Sequence, residues 1–326
     1  MITTRGLARS FHANGQQVDA VKGIDIDVLA GECVTLLGPN GAGKTTSFRM
    51  LTTLLRPTAG TAIVAGCDLL ADPAGVRRHI GYIAQGGGTS GEHTVFEELE
   101  LQGRLYGLSK AEARRRCGEV MEQLELTALE KRLASTLSGG QRRRLDVALG
   151  LVHSPPVVFL DEPTSGLDPQ SRAALWKRVH MLRAELGTTV FVTTHYLEEA
   201  DAFSDRVLII DHGRIIAEGT PEALKAKVSG HRVEITVPTD MVQATAAIAA
   251  RLPDASEPLV RGDSVRFQVP KGEAVIPDLI RALDFASIPA LSIQVVRPTL
   301  DDIFLLLTGR SIREDAIAKA STPDRT

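Results

Sequence analysis

A glycine-rich segment followed by lysine and threonine has the most specific chemistry in the sequence. Residues 38–45 read Gly-Pro-Asn-Gly-Ala-Gly-Lys-Thr and match the G-x-x-x-x-G-K-[ST] pattern of a phosphate-binding loop. The glycines let backbone N–H groups face phosphate oxygens, and a helix that begins at the loop adds a favourable dipole. The apolar run 33–37 and the helical run 45–55 supply the required context. We therefore expect Lys44 to contact the β- and γ-phosphates of a nucleotide and the Thr45 hydroxyl to bind Mg²⁺.

An apolar run that ends in two carboxylates supplies a second candidate site. Residues 157–162 read Val-Val-Phe-Leu-Asp-Glu, which predicts a buried strand with Asp161 and Glu162 at its carboxyl end. Acidic residues after a buried strand are unremarkable by themselves, but beside a phosphate loop they complete a hydrolytic centre. One carboxylate can hold Mg²⁺, and the next can orient a water molecule against the γ-phosphate. We assign Asp161 to the metal and Glu162 to the role of general base.

A third segment predicts a second anion-binding helix terminus. Residues 137–141 read Leu-Ser-Gly-Gly-Gln, in which Ser138 is a favourable N-cap for the helical run 142–152. Gly139 and Gly140 expose backbone N–H groups at the start of that helix. Within one globule the same γ-phosphate cannot easily reach both glycine-containing segments.

The three segments, in this order, resemble those of the ATP-binding cassette ATPases, the energy-coupling subunits of ABC transporters. The resemblance covers residues 1 to about 220. It implies that Gln85, which follows the apolar run 80–84, is the Gln-loop residue. It also implies that His195 is the switch histidine that contacts the γ-phosphate. Asp168, in the segment Ser-Gly-Leu-Asp, is similar to the residue that communicates between two ATP sites.

The same resemblance assigns cofactors and contacts. The cofactors are ATP and Mg²⁺, the metal ligands are Thr45, Gln85 and Asp161, and the catalytic residues are Glu162, His195 and Gln85. Phe11 stands where the family has an adenine-stacking aromatic residue, usually Tyr, and the alternative for Phe11 is a core position. The implied nucleotide contacts are Phe11, Gly38, Pro39, Asn40, Gly41, Ala42, Gly43, Lys44, Thr45 and Thr46.

A head-to-tail homodimer is a further implication of the resemblance. Each ATP then lies between the Lys44 loop of one chain and the signature segment of the other. The signature segment consists of Ser138, Gly139, Gly140 and Gln141. A separate integral-membrane permease is the second expected partner, and it would dock near residues 85–105.

The elements that must position these residues alternate along the first 220 residues. Continuous apolar runs are typical of strands covered on both faces, and they predict a parallel sheet flanked by helices. The runs are 33–37, 61–64, 157–160, 188–193 and 206–210. Helical spacing predicts helices over 109–126 and 169–186. The predicted fold is an α/β P-loop ATP-binding cassette, with a sheet core and a helical subdomain, followed by a small C-terminal α+β domain.

The pattern changes after residue 220, which predicts a second domain. Residues 221–230 are expected to form a linker with a short helix, residues 231–309 a regulatory or assembly domain, and residues 310–326 a flexible tail. Alternating runs at 232–237 and 264–269 predict half-exposed strands. A third strand at 291–296 and helices over 241–252 and 275–283 complete a small sandwich of the ferredoxin-like kind.

The last residues of this domain are similar to those of one subgroup of the cassette ATPases. Residues 297–309, Arg-Pro-Thr-Leu-Asp-Asp-Ile-Phe-Leu-Leu-Leu-Thr-Gly, resemble the C-terminal signature of daunorubicin/doxorubicin-type drug-resistance ATPases. This likeness implies that the chain powers the export of a drug or another hydrophobic compound. Related groups export lipids, polysaccharides or peptides, so the substrate stays open. Ile303, Phe304 and Leu307 also fit a simple packed helix face.

Composition argues against a nucleic-acid partner and against a membrane-spanning helix, and it indicates a cellular compartment. The chain of 326 residues has a net charge of −3 and a pI of about 6.3, which argues against a nucleic-acid partner. The arginine runs 114–116 and 142–144 are expected on solvated helix faces. No apolar stretch reaches the ~18 residues that a membrane-spanning helix requires. Three scattered cysteines fit a reducing cytoplasm, so we expect a cytoplasmic protein bound peripherally to the cytoplasmic face of the cell membrane.

Two other functions remain open at this point. The first is a cassette ATPase without a transport role that acts on ribosomes or DNA, although such chains usually carry two cassettes or a long coiled-coil insertion. The second is a non-hydrolysing interaction protein with a degenerate cassette. The presence of Lys44, Asp161, Glu162 and His195 argues against the second.

Overall fold

The computed structural model describes residues 1–13, 16–89, 91–228 and 230–309. Its strands, in chain order, are β1 (Ile2–Ala13), β2 (Gln16–Val28), β3 (Cys33–Leu37), β4 (Ala59–Val64), β5 (Cys67–Asp68), β6 (Ile80–Ile83), β7 (Val157–Asp161), β8 (Thr189–Thr194), β9 (Arg206–Asp211), β10 (Arg214–Gly219), β11 (His231–Thr236), β12 (Leu259–Arg261), β13 (Ser264–Val269) and β14 (Ser292–Val296). Its α-helices are α1 (Lys44–Leu51), α2 (Pro73–Arg78), α3 (Val95–Leu105), α4 (Lys110–Gln123), α5 (Gly139–Leu151), α6 (Pro169–Leu186), α7 (Leu197–Phe203), α8 (Pro221–Lys225), α9 (Val242–Ala249), α10 (Gly272–Phe285) and α11 (Leu300–Thr308). The predicted tail, residues 310–326, lies outside the described residues.

A six-stranded sheet with the order β10-β9-β3-β8-β7-β6 carries the predicted phosphate chemistry. Strands β9, β3, β8, β7 and β6 are parallel, and β10 is antiparallel to β9. Every residue of β3, β7 and β8 is buried, as their continuous apolar runs indicated. The parallel sheet is therefore confirmed for the runs 33–37, 157–160, 188–193 and 206–210. Because these strands are parallel neighbours, the carboxyl ends of β3, β8 and β7 lie together at one edge of the sheet.

The apolar run 61–64 does not join this sheet, so that part of the prediction is wrong. The run lies in β4, within an antiparallel sheet of order β2-β1-β4-β5. Val64 is fully buried whereas Ile63 is 48% exposed, so the strand has one buried and one exposed face. A four-residue run with one apolar residue on its exposed face cannot be distinguished by sequence from a strand buried on both faces.

A helical subdomain forms where α3, α4 and α5 pack on one another and α5 packs on β6. Its core includes the fully buried Leu99, Cys117 and Leu145. Two glycines bring α5 and β6 into close contact, because a Cβ on Gly81 would lie 2.1 Å from the carbonyl oxygen of Gly150. The predicted helices over 109–126 and 169–186 are observed as α4 and α6.

The two arginine runs are not wholly solvated, which corrects another expectation. Arg116, in the run 114–116, is buried and donates to the carbonyl oxygens of Val152 at 3.2 Å and Leu151 at 3.4 Å. Arg143, in the run 142–144, is only 7% exposed. Three consecutive helical residues span most of the helix circumference, so one of them turns toward the core. A long arginine side chain can meet polar atoms there.

The C-terminal unit has the order β11-α9-β12-β13-α10-β14, the split β-α-β arrangement of ferredoxin-like folds. Its four strands form an antiparallel sheet of order β12-β13-β11-β14. Buried side chains of this sheet and of α9 and α10 share one core, which includes Val233, Phe267 and Leu279. The ferredoxin-like prediction is confirmed, although β12 has three exposed residues and had no recognisable pattern.

The described chain divides into two compact units, residues 1–221 and residues from Glu222 onward. The division falls one residue beyond the predicted end of the first domain, and the predicted linker, residues 221–230, contains the short helix α8.

Among the described residues, no helix combines the length and the apolar character that a bilayer crossing requires.

Candidate functional site

The phosphate loop connects β3 to α1 and depends on its glycines. Gly41 and Gly43 have φ values of +85° and +109°, a region that favours glycine. A Cβ on Gly38 would lie 2.3 Å from the carbonyl oxygen of Ile210, so a side chain there would collide with the backbone of β9. The loop therefore turns tightly enough to place the amino end of α1 at the carboxyl edge of the sheet, where N–H groups and the helix dipole favour an anion.

Lys44 supplies the positive charge of the loop. It is 5% exposed, and its Nζ donates to the carbonyl oxygens of Gly38 at 2.8 Å and Pro39 at 3.2 Å. The same Nζ lies 3.6 Å from Glu162 Oε1. The ammonium group is thus held between the loop backbone and the carboxylate that follows β7.

Asp161, at the carboxyl end of β7, is a buried carboxylate beside the loop. Its Oδ1 accepts a 2.6 Å hydrogen bond from Thr193 Oγ1 on β8, and it is 2% exposed. Burial raises the pKa of Asp161 above its usual value, and the adjacent charge of Glu162 raises it further. A bound cation would offset this cost of ionisation.

The oxygen donors near the loop fit Mg²⁺. Thr45, Asp161 and Gln85 offer a hydroxyl, a carboxylate and an amide oxygen, the hard donors that Mg²⁺ takes. The described residues contain no group of three or more His, Cys, Asp or Glu side chains able to hold a metal by themselves. This donor set suits a metal that takes most of its ligands from phosphate and water.

Glu162 lies at the centre of the cluster. Gln85 Nε2 donates to its Oε2 at 3.1 Å, and His195 Nδ1 lies 3.2 Å from its Oε1 without the alignment of a hydrogen bond. Burial by itself would raise the pKa of Glu162, but the interaction with His195 and the charge of Lys44 outweigh burial and lower it. The Glu162 carboxylate is therefore ionised at neutral pH and can accept a proton.

The backbone of Glu162 is in the left-handed region, with φ of +45°. Its N–H donates to Thr193 at both the carbonyl oxygen, at 3.1 Å, and Oγ1, at 3.0 Å. A non-glycine residue rarely adopts this conformation unless its surroundings hold it there, and such residues concentrate at functional sites. The sharp turn separates the directions of the Asp161 and Glu162 side chains.

The predicted signature segment is organised around its own helix. Ser138 Oγ accepts from the N–H of Gln141 at 3.3 Å, and the Gln141 side chain accepts from the N–H of Ser138 at 3.0 Å. This capping box starts α5. A Cβ on Gly140 would lie 3.0 Å from Ser171 Oγ, which in turn donates to Asp168 at 2.6 Å. The segment therefore adjoins the start of α6 and Asp168, while Ser138 and Gly139 are exposed.

Phe11 lies on β1 as a half-buried side chain. The guanidinium of Arg9 stands 4.7 Å from the centre of its ring. This partial burial does not decide between the nucleotide contact and the core position considered for Phe11. Its adenine-stacking role stays a prediction.

Sequence reasoning missed a buried acidic residue, Glu199, that supports the cluster. Glu199, on α7, is 3% exposed and accepts from Thr164 Oγ1 at 2.5 Å and from Thr194 Oγ1 at 3.0 Å. It thus ties the loop after Glu162 to the strand that precedes His195. A charged residue on the buried face of a short helix was the signal that could have revealed Glu199.

The chain is similar to known proteins over most of its length. Residues 21–165 match the ABC transporter family, and residues 219–308 match the "ATP-binding protein DrrA1-3-like, C-terminal domain" family. The doxorubicin resistance ATP-binding protein DrrA of Mycobacterium tuberculosis is 45% identical over 92% of this chain and 91% of its own length. The daunorubicin resistance ATP-binding protein DrrA3 of Streptomyces coeruleorubidus is 42% identical over 91% and 94%.

A solved structure extends the likeness to the fold of the first unit. It is a dimeric ATP-binding cassette in a post-hydrolysis state bound to ADP and phosphate. It has 26% sequence identity and a TM-score of 0.62, and it covers 68% of this chain and 98% of its own. Cassettes of this kind dimerise and generally act with a separate membrane permease, and they bind and hydrolyse ATP. On the site geometry and these likenesses together, the chain belongs to the ATP-hydrolysing ATP-binding subunits of ABC transporters, in the group of the doxorubicin and daunorubicin resistance ATP-binding proteins.

Proposed function

We propose that this chain powers the export of a drug-like hydrophobic compound through a separate permease, as a homodimer on the cytoplasmic face of the cell membrane. The observation that carries the proposal is the complete cluster of Lys44, Gln85, Asp161, Glu162 and His195 around the phosphate loop. The relatives named for doxorubicin and daunorubicin resistance support the compound class.

In the proposed reaction, the loop N–H groups and Lys44 bind the β- and γ-phosphates. Glu162 accepts a proton from the water whose oxygen attacks the γ-phosphorus, while the bond from that phosphorus to the β–γ bridging oxygen breaks. The products are ADP and inorganic phosphate. His195 and Gln85 orient the Glu162 carboxylate and the water. Mg²⁺, held by Thr45, Asp161 and Gln85, supplies charge neutralisation on the phosphate oxygens when bound.

The dimer is proposed to be head to tail, with the signature segment of one chain facing the ATP of the other. Exposure of Ser138 and Gly139 at the amino end of α5 supports this arrangement, because that helix terminus is available to an anion. Asp168, beside the signature segment, is proposed to link the two ATP sites. The C-terminal unit is proposed to regulate or assemble the complex, because every segment assigned to phosphate chemistry lies in the first unit.

Replacing Glu162 by glutamine tests the proposed function. Glu162→Gln removes the proton acceptor but leaves the phosphate contacts in place, so we expect ATP affinity within about twofold of the wild type and turnover lower by roughly 10²- to 10⁴-fold. The measurements are nucleotide binding and phosphate release by the purified chain.

Transport is tested in cells that produce the chain together with a candidate permease. These cells should accumulate less doxorubicin, followed by its fluorescence, than cells with the permease and Glu162→Gln. Normal phosphate release by Glu162→Gln would refute the base assignment. Equal doxorubicin accumulation in both strains, with an active wild-type ATPase, would refute this compound as the cargo.

A further inference from the structure

We propose that Arg143, together with Asp146, is a positioning residue for hydrolysis. The two residues hold the Gln loop, residues 84–88, and the Glu162 turn, residues 161–163, in one fixed arrangement. The proposal rests on the assignment of Glu162 as the general base. Neither residue belongs to the phosphate loop or to the signature segment. Both lie on α5, three positions apart, and both are only 7% exposed.

The guanidinium of Arg143 distributes its N–H groups over two separate segments. Its Nε donates to the carbonyl oxygen of Pro163 at 2.6 Å, and its Nη2 reaches those of Asp161 at 3.3 Å and Glu162 at 3.4 Å. Its Nη1 donates to the carbonyl oxygen of Ala84 at 2.7 Å. One planar group therefore joins the residue before Gln85 to the three residues that form the strained turn at Glu162.

Asp146 completes the connection on the Gln-loop side. Its Oδ1 accepts from the N–H of Gly88 at 3.2 Å, and its Oδ2 lies 3.6 Å from Arg143 Nη1. The loop passes directly over the carboxylate, because a Cβ on Gly87 would lie 3.0 Å from Oδ2. Asp146 thus balances the buried charge of Arg143 and anchors the other end of the Gln loop.

The position of α5 itself is fixed by backbone contact. The close approach of Gly81 and Gly150 presses α5 against β6, which leads into the Gln loop. Because α5 is fixed against β6, the planar guanidinium of Arg143 sets the separation between the Gln85 and Glu162 backbones. A positioning error of ~1 Å at a catalytic group can lower a rate by about 100-fold. The same helix begins at the signature segment, so the Arg143 contacts connect the dimer-facing end of α5 to the hydrolytic centre.

Substitution of Arg143 by lysine separates the effect of the planar guanidinium geometry from the effect of the positive charge. Arg143→Lys keeps a cation near Asp146 but cannot donate to both segments in one plane. We expect kcat for ATP hydrolysis to fall by about 10- to 100-fold with KM for ATP within about twofold. Arg144→Lys is the matched control, since Arg144 is the next residue of α5 but donates to Leu124 and Glu125. The control should keep a kcat within about twofold of the wild type.

The outcomes are distinguishable in one assay of the purified full chain. A kcat for Arg143→Lys equal to that of Arg144→Lys would overturn the positioning role, and so would a loss that appears only in KM. If Arg143→Lys does not fold, Asp146→Asn decides, because it keeps an acceptor for Gly88 and removes only the counter-charge. A kcat more than about threefold below the control supports the proposal, and an unchanged kcat overturns it. Glu162→Gln is measured in parallel, because normal turnover by that variant would refute the general base instead.

Discussion

The adjacent carboxylates of Asp161 and Glu162 differ in their pKa, which is raised for the first and lowered for the second. Burial raises the pKa of Asp161, whereas Lys44 and His195 reverse the effect of burial on Glu162 and lower its pKa. The two side chains have different surroundings, because Asp161 contacts the Thr193 hydroxyl whereas Glu162 lies beside the Lys44 ammonium and the His195 ring. A bound cation would offset the cost of ionising Asp161, whereas Glu162, already ionised at neutral pH, is in the protonation state that a proton acceptor requires.

This difference predicts a pH-dependent stability change for Asp161→Asn without nucleotide or Mg²⁺. The folded-state pKa of Asp161 is raised, so its ionisation at neutral pH costs stability, and the cost disappears as pH falls below the unfolded pKa. We therefore expect Asp161→Asn to melt at a higher temperature than the wild type at pH 7. The difference should shrink toward pH 4, near the usual Asp pKa.

Thermal unfolding at several pH values measures both effects, and Mg²⁺-dependent ATP hydrolysis should be strongly reduced in the same variant. Asp168→Asn is a control for a general effect of charge removal. Asp168 is exposed, and the N–H and Oγ of Ser171 lower its pKa, so that variant should not gain stability at pH 7. A lower melting temperature for Asp161→Asn at pH 7 would contradict the prediction.

At the scale of elements, short-range sequence patterns predicted the parallel strands and the residues at their ends. Buried parallel strands have continuous apolar runs; the loop and Asp161 each follow such a run directly, and His195 follows one after a single intervening residue. The antiparallel strands β1 and β2 were not predicted, because bulges between Thr4 and Ser10 interrupt their alternation. The buried roles of Arg143 and Glu199 depend on which way a helix faces, which only the packed structure fixes.

The contact between α5 and β6 gives a prediction at this scale. In Gly81→Ala the new Cβ would lie 2.1 Å from the Gly150 carbonyl oxygen, so helix and strand must move apart. Overpacking of this kind costs about 1–3 kcal/mol. At ~2–4 °C per kcal/mol for a unit of this size, the melting temperature should fall by about 2–12 °C. Gly86→Ala is the control, because a Cβ there meets nothing within 4 Å. Equal melting temperatures for the two variants would show that the contact is not rigid.

The chain combines one unit that carries the phosphate loop and the cluster around Glu162 with a second unit that has its own core. The order of motifs allowed the first unit to be identified from sequence, and alternating strands identified the second. The exposed signature segment, however, has its expected function only in a dimer. An assembly with two identical composite sites has a two-fold axis, and each site takes one part from each chain.

Mixing two inactive variants tests this assembly. Ser138→Arg places bulk in the signature segment, and Lys44→Ala removes the phosphate-binding cation, so each homodimer should lack any intact composite site. A mixed dimer has one site with Lys44 and Ser138 both intact and one site with both lost. With random pairing, half of the dimers are mixed, and the mixture should recover about a quarter of wild-type ATP hydrolysis. The control is a mixture of Ser138→Arg with the double variant Ser138→Arg/Lys44→Ala, which can form no intact site. If the first mixture is only as active as the average of its two components, each ATP site is complete within one chain and the head-to-tail dimer is wrong.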